Sequence, residues 1–428
     1  MNIEQLFSQA LGIISPWYIK SVNFNSDKRK LDIEVDFKKG STFKDYINGG
    51  DVNSGNANSD CGAKLKEYKA YDTIIKTWRH LNFFEHECYL HCRTPRIKTD
   101  AGTTKLIMPP WSVIMNGFTL LFEALIMKLV TQMAVNNVAD LLKISDDKIW
   151  QMLDIYTHGA RVNDDYSDVK TIGIDETSIA KRHQYISLFV DLCKKRTIFV
   201  ADGKSSQTIT DFAIDLKEHN DTPNQIKEVS CDMSAAFIKG VKEVLPEAQI
   251  TFDKFHILKI INEGVDQVRK EEAMTNPLLK KTRYIWLKNE ANLTNKERAK
   301  KAELSMPDLN LKAMKAMHIR ENFQAIYLAE NINQFEQLLQ KWYLWAIKSK
   351  LEPMIKAAKT IKNHWNGIIR WKISTINNGI LEGLNSALQA AKRKARGYGK
   401  KHFQTIAYLI TGKLDFSVVN KYCLPTRF

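Results

Sequence analysis

Residues 230–256, SCDMSAAFIKGVKEVLPEAQITFDKFH, contain two strand-like runs that each end at an aspartate. Asp232 follows the first apolar run, a helical pattern comes next, and Asp253 follows the second run, with His256 three residues later. Alternating strands and helices are typical of a sheet covered by helices. The stretch therefore predicts an α/β fold with an acidic edge on its sheet.

Three more strand-like runs precede this stretch, within residues 169–203: VKTIGIDET, QYISLFVDL and RTIFVADG. Short polar connections join them, and a helical pattern follows. Three hairpin-connected strands followed by alternating helices and strands predict a mixed sheet with helices on both faces. Asp175 lies near the end of the first run, so it meets Asp232 at one edge if the first and fourth strands are neighbours.

A cation explains two carboxylates at one sheet edge. Asp175 and Asp232 would repel each other without one, and oxygen ligands suit Mg²⁺ or Mn²⁺. The alternative for Asp232 is that it caps the next helix. Asp253 and His256 are candidates for a supporting layer in which His256 orients a water or touches a phosphate, unless His256 simply packs against or caps its helix. Glu176 alternates to the opposite strand face and is a poorer ligand.

The composition indicates a folded protein with a basic surface. The chain has 428 residues, with 63 Lys and Arg against 48 Asp and Glu, a net charge of +15, and 44% apolar residues. No uninterrupted apolar run reaches the roughly 18 to 20 residues of a membrane span, so nucleic acid is the expected polyanionic partner. The first twenty residues lack the basic leader and cleavage site of a signal peptide, and we expect a cytoplasmic protein.

Six irregularly spaced cysteines predict reduced thiols rather than a disulfide framework. Cys88 and Cys92 lie near His86 and His91, which on composition alone suggests a zinc site. The same segment has the pattern of a strand in which both cysteines share one face and His91 points to the other. We expect buried strand cysteines, with zinc as the alternative.

A DNA-binding pattern follows the N-terminal region. Residues 1–110 alternate in short runs with polar loops, which predicts a small β-rich module. Residues 134–157 then form a helix, the short break KIS and a second helix that Ser145 can cap. This is the layout of a helix-turn-helix, in which the start of the second helix, with Lys148 and Trp150, reads a DNA groove. An ordinary helical hairpin is the alternative.

A third carboxylate comes from the segment NGILEGLNSALQAAKRKARGYGKKHFQ at 378–404. The pattern predicts a helix from about Gly379, with Glu382 off the buried stripe and one face that carries Glu382 first and arginines up to Arg396 further along. Six of the ten residues from 392 to 401 are basic, which fits a surface that binds the DNA backbone. The residues expected to contact DNA here are Lys392, Arg393, Arg396 and Lys400. A solvated glutamate and a solvated basic face are the alternatives.

Several spaced motifs resemble bacterial insertion-sequence transposases of the ISL-three group. They are GIDE at 173–176, the segment from DMSAAF to DQVR at 232–269, and the segment at 378–404. The WRHL stretch and the helix-turn-helix occur in the family's order, so the resemblance covers nearly the whole chain.

The resemblance implies a fold and a division of the chain. The core is an RNase H-like mixed sheet flanked by helices, in which Asp175, Asp232 and Glu382 form a metal-binding triad. We predict a β-rich module at 1–110, a helix-turn-helix region at 111–165, a DDE catalytic core at 166–256 with 375–415, and a long helical insertion at 257–374.

The resemblance also implies a reaction. Two Mg²⁺ or Mn²⁺ ions held by the triad would clamp the scissile phosphate, with water as the first nucleophile and the freed 3′-hydroxyl as the second. The partners would be the terminal repeats of the element, target DNA and further copies of the chain in a homodimer or larger assembly at the bacterial nucleoid. A DNA-binding regulator derived from a transposase but without catalysis, and an RNase H-like nuclease, are the alternative functions.

The chain departs from the family in its N-terminal module. Family members commonly hold zinc there with two Cys-x-x-Cys-like pairs, whereas the first pair here leaves Cys61 with Asn58 in the partner position. The second region, KTDAG at 98–102, has no cysteine or histidine, so too few ligands remain for a tetrahedral site. We expect the module to keep its fold without zinc, or the chain to be a drifted copy with weakened end recognition.

Overall fold

The structure is a computed structural model that describes residues 3–46, 65–100, 102–180, 184–374, 376 and 379–420. The chain forms two compact units: the first unit comprises Met1–Asp164 with Ala390–Phe428, and the second unit comprises Asp165–Gln389. The predicted core segment 375–415 is therefore divided between the two units. Within the described ranges, no helix has the length and apolar character that a bilayer span requires.

The first unit begins with a helix and a sheet. Its elements are α1 (Ile3–Ala10), β1 (Trp17–Asn25), β2 (Lys30–Phe37), β3 (Thr42–Tyr46), β4 (Leu65–Phe83), β5 (His86–Lys98) and β6 (Thr104–Leu106). The strand order is β1-β2-β5-β4-β3, and β6 pairs with β5. Strict alternation in β2 places every second side chain in the core, namely Leu31, Ile33, Val35 and Phe37.

The strand prediction for Cys88 and Cys92 is confirmed. Both thiols are buried in β5, and His91 alternates to its other face. Burial raises the pKa of each thiol to about 12, so both stay protonated and are poor zinc ligands. Cys61 and Asn58 lie outside the described residues, and the predicted loss of their zinc pair stays a prediction.

Three helices follow the sheet in the first unit, and a short turn joins the last two. The helices here are α2 (Leu120–Gln132), α3 (Val135–Leu142) and α4 (Asp146–Val162). Lys143 ends α3 in the left-handed conformation, with φ 54°, and Ser145 stands at the N-cap of α4 without a side-chain cap hydrogen bond. Helices α3 and α4 bury apolar side chains in one core, including Val135, Val138, Ile149 and Leu153. The predicted helix-turn-helix is present.

The second unit contains a five-stranded sheet. Its strands are β7 (Thr171–Ala180), β8 (Gln184–Asp191), β9 (Arg196–Asp202), β10 (Glu228–Cys231) and β11 (Gln249–Phe252), and helices α5 (Gln207–Glu218) and α6 (Ala235–Val244) connect the last three. The order is β11-β10-β7-β8-β9. β8 is antiparallel to β7 and β9, whereas β10 is parallel to β7 and β11. The predicted mixed sheet is confirmed, and its first and fourth strands are neighbours.

The predicted insertion at 257–374 is helical. Its helices are α7 (Lys254–Glu272), α8 (Arg283–Leu287), α9 (Asn295–Leu304), α10 (Lys312–Ile326), α11 (Ile332–Ile347), α12 (Glu352–Asn363), α13 (Trp365–Ile369) and α14 (Trp371–Ser374). Trp286, Phe323 and Trp342 are fully buried in the same apolar core as Ile172 and Val229 of the sheet. Sheet and insertion therefore share one core.

Three helices complete the described chain, α15 (Gly379–Lys394), α16 (Lys400–Thr411) and α17 (Ser417–Asn420). Leu381 and Leu388 are buried, as the apolar stripe predicted. The prediction that one helical face extends to Arg396 is wrong, because Arg396 is in the left-handed region with φ 59° and Gly397 has φ 118°. Such residues end a helix.

Candidate active site

Three aspartates stand in one row across the parallel strands of the second unit. The residue pairs that precede the row are Gly173 with Ser230, and Cys231 with Phe252. Continuing this register by one or two residues aligns three aspartates. They are Asp175 within β7, Asp232 directly after β10 and Asp253 directly after β11. The chain thus brings together the two aspartates predicted for the metal site and adds a third beside them.

Asp175 lies in the middle of its strand, and the prediction that it stands near the strand's end is wrong. β7 continues to Ala180 because it stays paired with β8 after β10 has ended at Cys231. The Oδ1 atom of Asp175 accepts a hydrogen bond of 2.8 Å from the amide of Glu176, and its Oδ2 atom accepts one from Nδ2 of Asn385. Both carboxylate oxygens are therefore held in place.

The row concentrates negative charge. Burial raises the pKa of the Asp175 carboxyl to about 6, the charges of Asp253 and Asp232 add to the rise, and the amide of Glu176 and the ring of His256 oppose it. Neighbouring carboxylates disfavour each other's charged forms, and a divalent cation reverses that effect. Burial is the largest cause of this pKa shift, and the neighbouring carboxylates of the row add to it.

Asp232 and Asp253 also shape the starts of the helices that follow them. Oδ1 of Asp232 accepts a 2.9 Å hydrogen bond from the amide of Ser234, just before α6. Asp253 is the N-cap of α7, and its Oδ1 accepts a 2.9 Å bond from the amide of Phe255. The capping role is thus correct for Asp253, whereas the N-cap of α6 is Ser234 and not Asp232. Neither Oδ2 takes part in these backbone bonds.

His256 faces the third aspartate of the row. Its Nδ1 lies 3.4 Å from Oδ2 of Asp253. Nδ1 is buried, and no residue within the described ranges forms a hydrogen bond with it. The ring is therefore placed to pair with the outermost carboxylate by a small adjustment, and it does not cap α7, whose N-cap is Asp253 itself.

Helix α15 lies along β7. A Cβ added to Gly173 would stand 2.8 Å from a methyl carbon of Leu381, so only glycine permits this close approach. Two turns later, Nε2 of Gln389 donates to Oγ1 of Thr177 over 2.7 Å. Together with the bond from Asn385, these contacts fix the helix against the strand that carries the first aspartate.

Glu382 lies in the first turn of α15 and is exposed. It precedes Asn385 by three residues, and side chains at that spacing are neighbours on a helix. Within the ranges that the structure covers, no residue forms a hydrogen bond or ion pair with Glu382. The third predicted acid therefore lies one turn from the residue that contacts Asp175 and is not drawn into the row.

The oxygen donors of the site fit a hard divalent cation. Asp175 and Asp232 supply adjacent carboxylates, and Oδ1 of Asn385 is buried with no hydrogen-bond partner among the described residues. Carboxylate and amide oxygens are the donors that Mg²⁺ and Mn²⁺ prefer. No group of three or more His, Cys, Asp or Glu side chains in the described ranges is placed to hold a metal ion, so Glu382 does not form a closed ligand set with the two aspartates here.

Glu176 is engaged outside the row. Its carboxylate lies 3.6 Å from Nζ of Lys204. Burial raises the pKa of the Glu176 carboxyl, and Lys204 opposes the rise. This pairing agrees with its prediction as a poorer metal ligand.

The two residues predicted to read DNA on α4 differ in exposure. Lys148 is exposed, with Nζ 5.7 Å from the ring centroid of Phe118. Trp150 is only 6% exposed and stacks on His402 with ring centroids 3.8 Å apart. A buried indole cannot enter a groove, so the prediction for Trp150 is corrected to a core residue of the first unit.

The basic segment after residue 391 lies mostly on the surface of the first unit. Lys392 is half-buried, and the other predicted DNA contacts are exposed: Arg393, Arg396 and Lys400. Lys394 donates from Nζ to the backbone oxygen of Gln132 over 3.1 Å, which ties the end of α15 to the end of α2. The segment presents clustered cations on a fixed backbone.

Comparison with known families decides what this arrangement belongs to. A family model described as a transposase of the DDE type matches residues 172–407, more than half of the chain, and a model described as the helix-turn-helix domain of transposase family ISL3 matches residues 116–156. The chain belongs to transposase family ISL3. The matched ranges contain the aspartate row, Glu382, the whole of α3 and the first part of α4.

Named relatives of this ISL3 chain are similar over most of their length. The transposase for insertion sequence element IS1001 of Bordetella parapertussis is 24% identical over 353 residues, which covers 80% of this chain and 85% of that protein. The transposase for insertion sequence element IS1557 of Mycobacterium tuberculosis is 23% identical over 367 residues, which covers 79% of this chain and 81% of that protein. Family membership supports a transposase function, DNA binding and dependence on a divalent metal.

The sequence of the ISL3 chain did not point to Asn385, it placed Gln389 only on the helix face of Glu382, and it indicated Asp253 only as a supporting residue. The signal for Asn385 was its position three residues after Glu382, on the side of α15 that meets β7. Polar residues at such positions are ordinarily assigned to solvent, because only the packing partner shows that a carboxylate lies opposite.

Proposed function

We propose that this ISL3-family chain binds the terminal inverted repeats of an insertion sequence and catalyses metal-dependent strand cleavage and strand transfer there. The observation that carries the proposal is the in-register placement of Asp175 and Asp232 on adjacent parallel strands, with the helix that bears Glu382 packed along the first of them. Carboxylates in register on neighbouring strands, joined by a third from a helix, are suited to hold metal at a phosphate.

The sheet order supports an RNase H-like core. Three antiparallel strands, β7 to β9, are followed by two parallel strands that extend the sheet beyond β7. We infer that the RNase H-like DDE domain comprises this sheet with α15, and that the helical insertion is part of the same body because it shares the apolar core.

In the proposed site, Asp175, Asp232 and Glu382 bind the metal. Bound Mg²⁺ or Mn²⁺, as a pair of ions, would supply charge neutralisation at the scissile phosphate and activation of the attacking oxygen. Asn385 holds Oδ2 of Asp175 so that the carboxylate keeps one orientation. Asp253 extends the negative row and His256 orients it, so both act as positioning residues.

The proposed chemistry proceeds by two displacements at phosphorus. A water oxygen attacks the phosphate at the element's end, the bond from phosphorus to the 3′-oxygen breaks, and that oxygen leaves as a 3′-hydroxyl. This hydroxyl then attacks a phosphate of target DNA, forming one phosphodiester and breaking another. No bond to the enzyme is needed, so the carboxylates act by position and charge alone.

DNA recognition falls to the first unit. Lys148 on α4 is proposed to contact the groove or its phosphates, and the basic segment of Lys392, Arg393, Arg396 and Lys400 is proposed to bind backbone phosphates. The N-terminal sheet is proposed to keep its fold without zinc, which its apolar core supports. Joining two ends requires two sites, so we propose a homodimer or larger assembly that works on DNA at the bacterial nucleoid.

One observation favours a second candidate function. Glu382 is exposed and remote from a closed ligand set, which would suit a DNA-binding regulator that has lost catalysis. An RNase H-like nuclease would need the acids and would not need end-specific binding. The regulator would therefore bind the ends without cleaving DNA, and the nuclease would cleave without binding the ends specifically.

A transposition assay in cells separates the three functions. The chain is supplied in trans to a marked element that carries its own flanking ends, and jumping is compared for the wild type, Asp232→Asn and Glu382→Gln, while end binding is followed by gel shift. If the chain is a transposase, only the wild-type protein moves the marked element, whereas all three proteins bind its ends. Equal binding without jumping in any protein would indicate the regulator, and degradation of DNA without end preference would indicate the nuclease.

A further inference from the structure

A pocket of 510 Å³ opens along the edge strand of the sheet in the second unit. β11 is the last strand on that side, and α6, α12 and α13 supply the other walls. The polar residues that line it are Lys242, Gln249, Lys362, Asn363, His364, Asn366 and Arg370. Within the described ranges, the pocket presents nitrogen donors and no acidic lining residue.

The charge of the pocket is positive and only partly compensated. Arg370 is paired with the carboxylate of Glu228, so this pair is close to neutral. Lys242 and Lys362 are exposed, and no described carboxylate lies within ion-pair distance of either. Burial lowers the pKa of the His364 ring, and the charge of Lys242, which lines the same pocket, lowers it further. Lys242 and Lys362 therefore line the same pocket, and no described carboxylate pairs with either of them.

Aromatic contacts hold part of this wall in place. Nζ of Lys362 lies 4.2 Å from the ring centroid of Trp365 and 5.7 Å from that of Tyr343. A cation over aromatic faces keeps its charge and loses mobility. Lys362 is thus a positioned charge rather than a freely moving surface side chain.

The pocket adjoins the row of aspartates. Phe252 lines the pocket, and its ring centroid lies 5.0 Å from that of His364. The next residue in the chain is Asp253, the outermost member of the row. The lining of the pocket therefore extends along β11 to the residue before the outermost aspartate of the row.

We propose that this pocket binds a backbone phosphodiester of the DNA on which the site acts, held by Lys242 and Lys362 and by the side-chain amides of Gln249 and Asn363. The inference rests on the proposed function for the identity of the polyanion. Lysines act as point charges on phosphates, and neutral amides add hydrogen bonds without sequence preference. The pocket thus positions one strand beside the acids and reads no bases.

The test measures how DNA affinity depends on salt, with no divalent metal present. The full-length wild type is compared with Lys242→Gln/Lys362→Gln on a random-sequence duplex. The matched control is Lys356→Gln/Lys359→Gln, which removes the same charge from two exposed positions of α12 outside the pocket. Melting temperatures confirm that all three proteins are folded.

We expect the plot of log affinity against log salt to become shallower by about 2 for the pocket variant, about 1 for each lysine that meets a phosphate, and to change little for the control. Equal changes in both variants, or no change in either, would overturn the assignment. A rise in melting temperature with inorganic phosphate that only the pocket variant loses, combined with an unchanged DNA slope, would assign the pocket to free phosphate and also overturn it.

Because this readout needs no cleavage, the pocket proposal and the proposed function fail separately. If the wild type does not cleave DNA but the pocket variant still shows the shallower slope, the pocket proposal stands and the catalytic proposal fails. A wild type that binds no DNA at all would overturn both.

Discussion

Asn385 donates from Nδ2 to Oδ2 of Asp175, across a separation of 210 residues in the chain. The bond joins the helix of the third acid to the strand of the first. Glu382 lies one turn before Asn385 on the same helix. The contact therefore fixes the position of α15 relative to the strand that carries Asp175.

Replacing Asn385 tests this link. Asn385→Ala removes the hydrogen bond that orients the Asp175 carboxylate, and loss of a residue that orients a metal ligand typically costs about 10- to 100-fold in metal affinity. We expect a loss of this size in Mn²⁺ affinity, measured by paramagnetic resonance of the free ion, and a parallel fall in cleavage. Ser386→Ala, on the exposed neighbouring position, should leave both unchanged. Wild-type Mn²⁺ affinity in Asn385→Ala would show that the bond has no orienting role.

Gly173 tests the close packing of α15 on β7. In Gly173→Ala the new Cβ would meet methyl carbons of Leu381 at 2.8 and 2.9 Å and one of Leu192 at 3.0 Å. Overpacking of this kind costs about 1 to 3 kcal/mol. Thermal unfolding should show the loss, and Leu381→Ala in the same chain should restore part of it, because the two changes share one contact. Strictly additive losses would rule out the contact as the cause.

A buried glutamate in the first unit makes stability depend on pH. Glu123 is 0% exposed, with its carboxylate against the hydroxyl of Tyr156 and the amide of Asn116. Burial raises the pKa of the Glu123 carboxyl to about 7. A folded pKa above the unfolded value of about 4.5 means that stability is full below pH 4.5 and falls as the pH rises to about 7, by on the order of 3 kcal/mol.

Glu123→Gln keeps the neutral form at every pH. We expect the variant to match the wild type near pH 5 and to be the more stable protein at pH 8, measured as the midpoint of urea unfolding of the first unit. The pH dependence of the wild type between these values should largely vanish in the variant. The same pH dependence in both proteins would exclude Glu123 as its source.

Lys148 and Trp150 should separate binding from stability. Lys148→Gln removes an exposed charge, so the salt dependence of end binding should become shallower by about 1 while the melting temperature stays close to that of the wild type. Trp150→Ala empties a buried site stacked on His402 and should cost about 3 to 5 kcal/mol of stability. A Trp150→Phe variant that stays folded but loses end-specific binding would restore Trp150 as a reading residue.

The sequence pattern placed Asp175 and Asp232 at one sheet edge on the condition that the first and fourth strands are neighbours, and the order of the strands meets that condition. Strand and helix periodicity predicted the order of elements, and parallel strands bring their ends to one edge. It did not carry the length of β7, because the strand's extension past Asp175 depends on pairing with β8, which is a tertiary contact. For the same reason the exact correspondence with Asp253 became visible only in the register of β10 and β11.

Errors in the first unit have a similar origin. Trp150 follows a helix start in a pattern that fits a recognition helix, but its burial depends on α16, which is distant in sequence. Arg396 was placed on a helical face by periodicity, whereas the glycine after it and its own left-handed backbone end the helix at Lys394. Local pattern predicts the type of element, and the partners of an element decide which of its side chains reach solvent.

The most direct test of the central claim is cleavage of duplex DNA that carries the flanking ends of the element, with Mg²⁺ and with Ca²⁺ in its place, for the wild type and Asp232→Asn. We expect nicking at the element's end with Mg²⁺ only, lost in Asp232→Asn although both proteins bind the duplex equally. Specific binding without cleavage by the wild type, or cleavage that survives in Asp232→Asn, would contradict it.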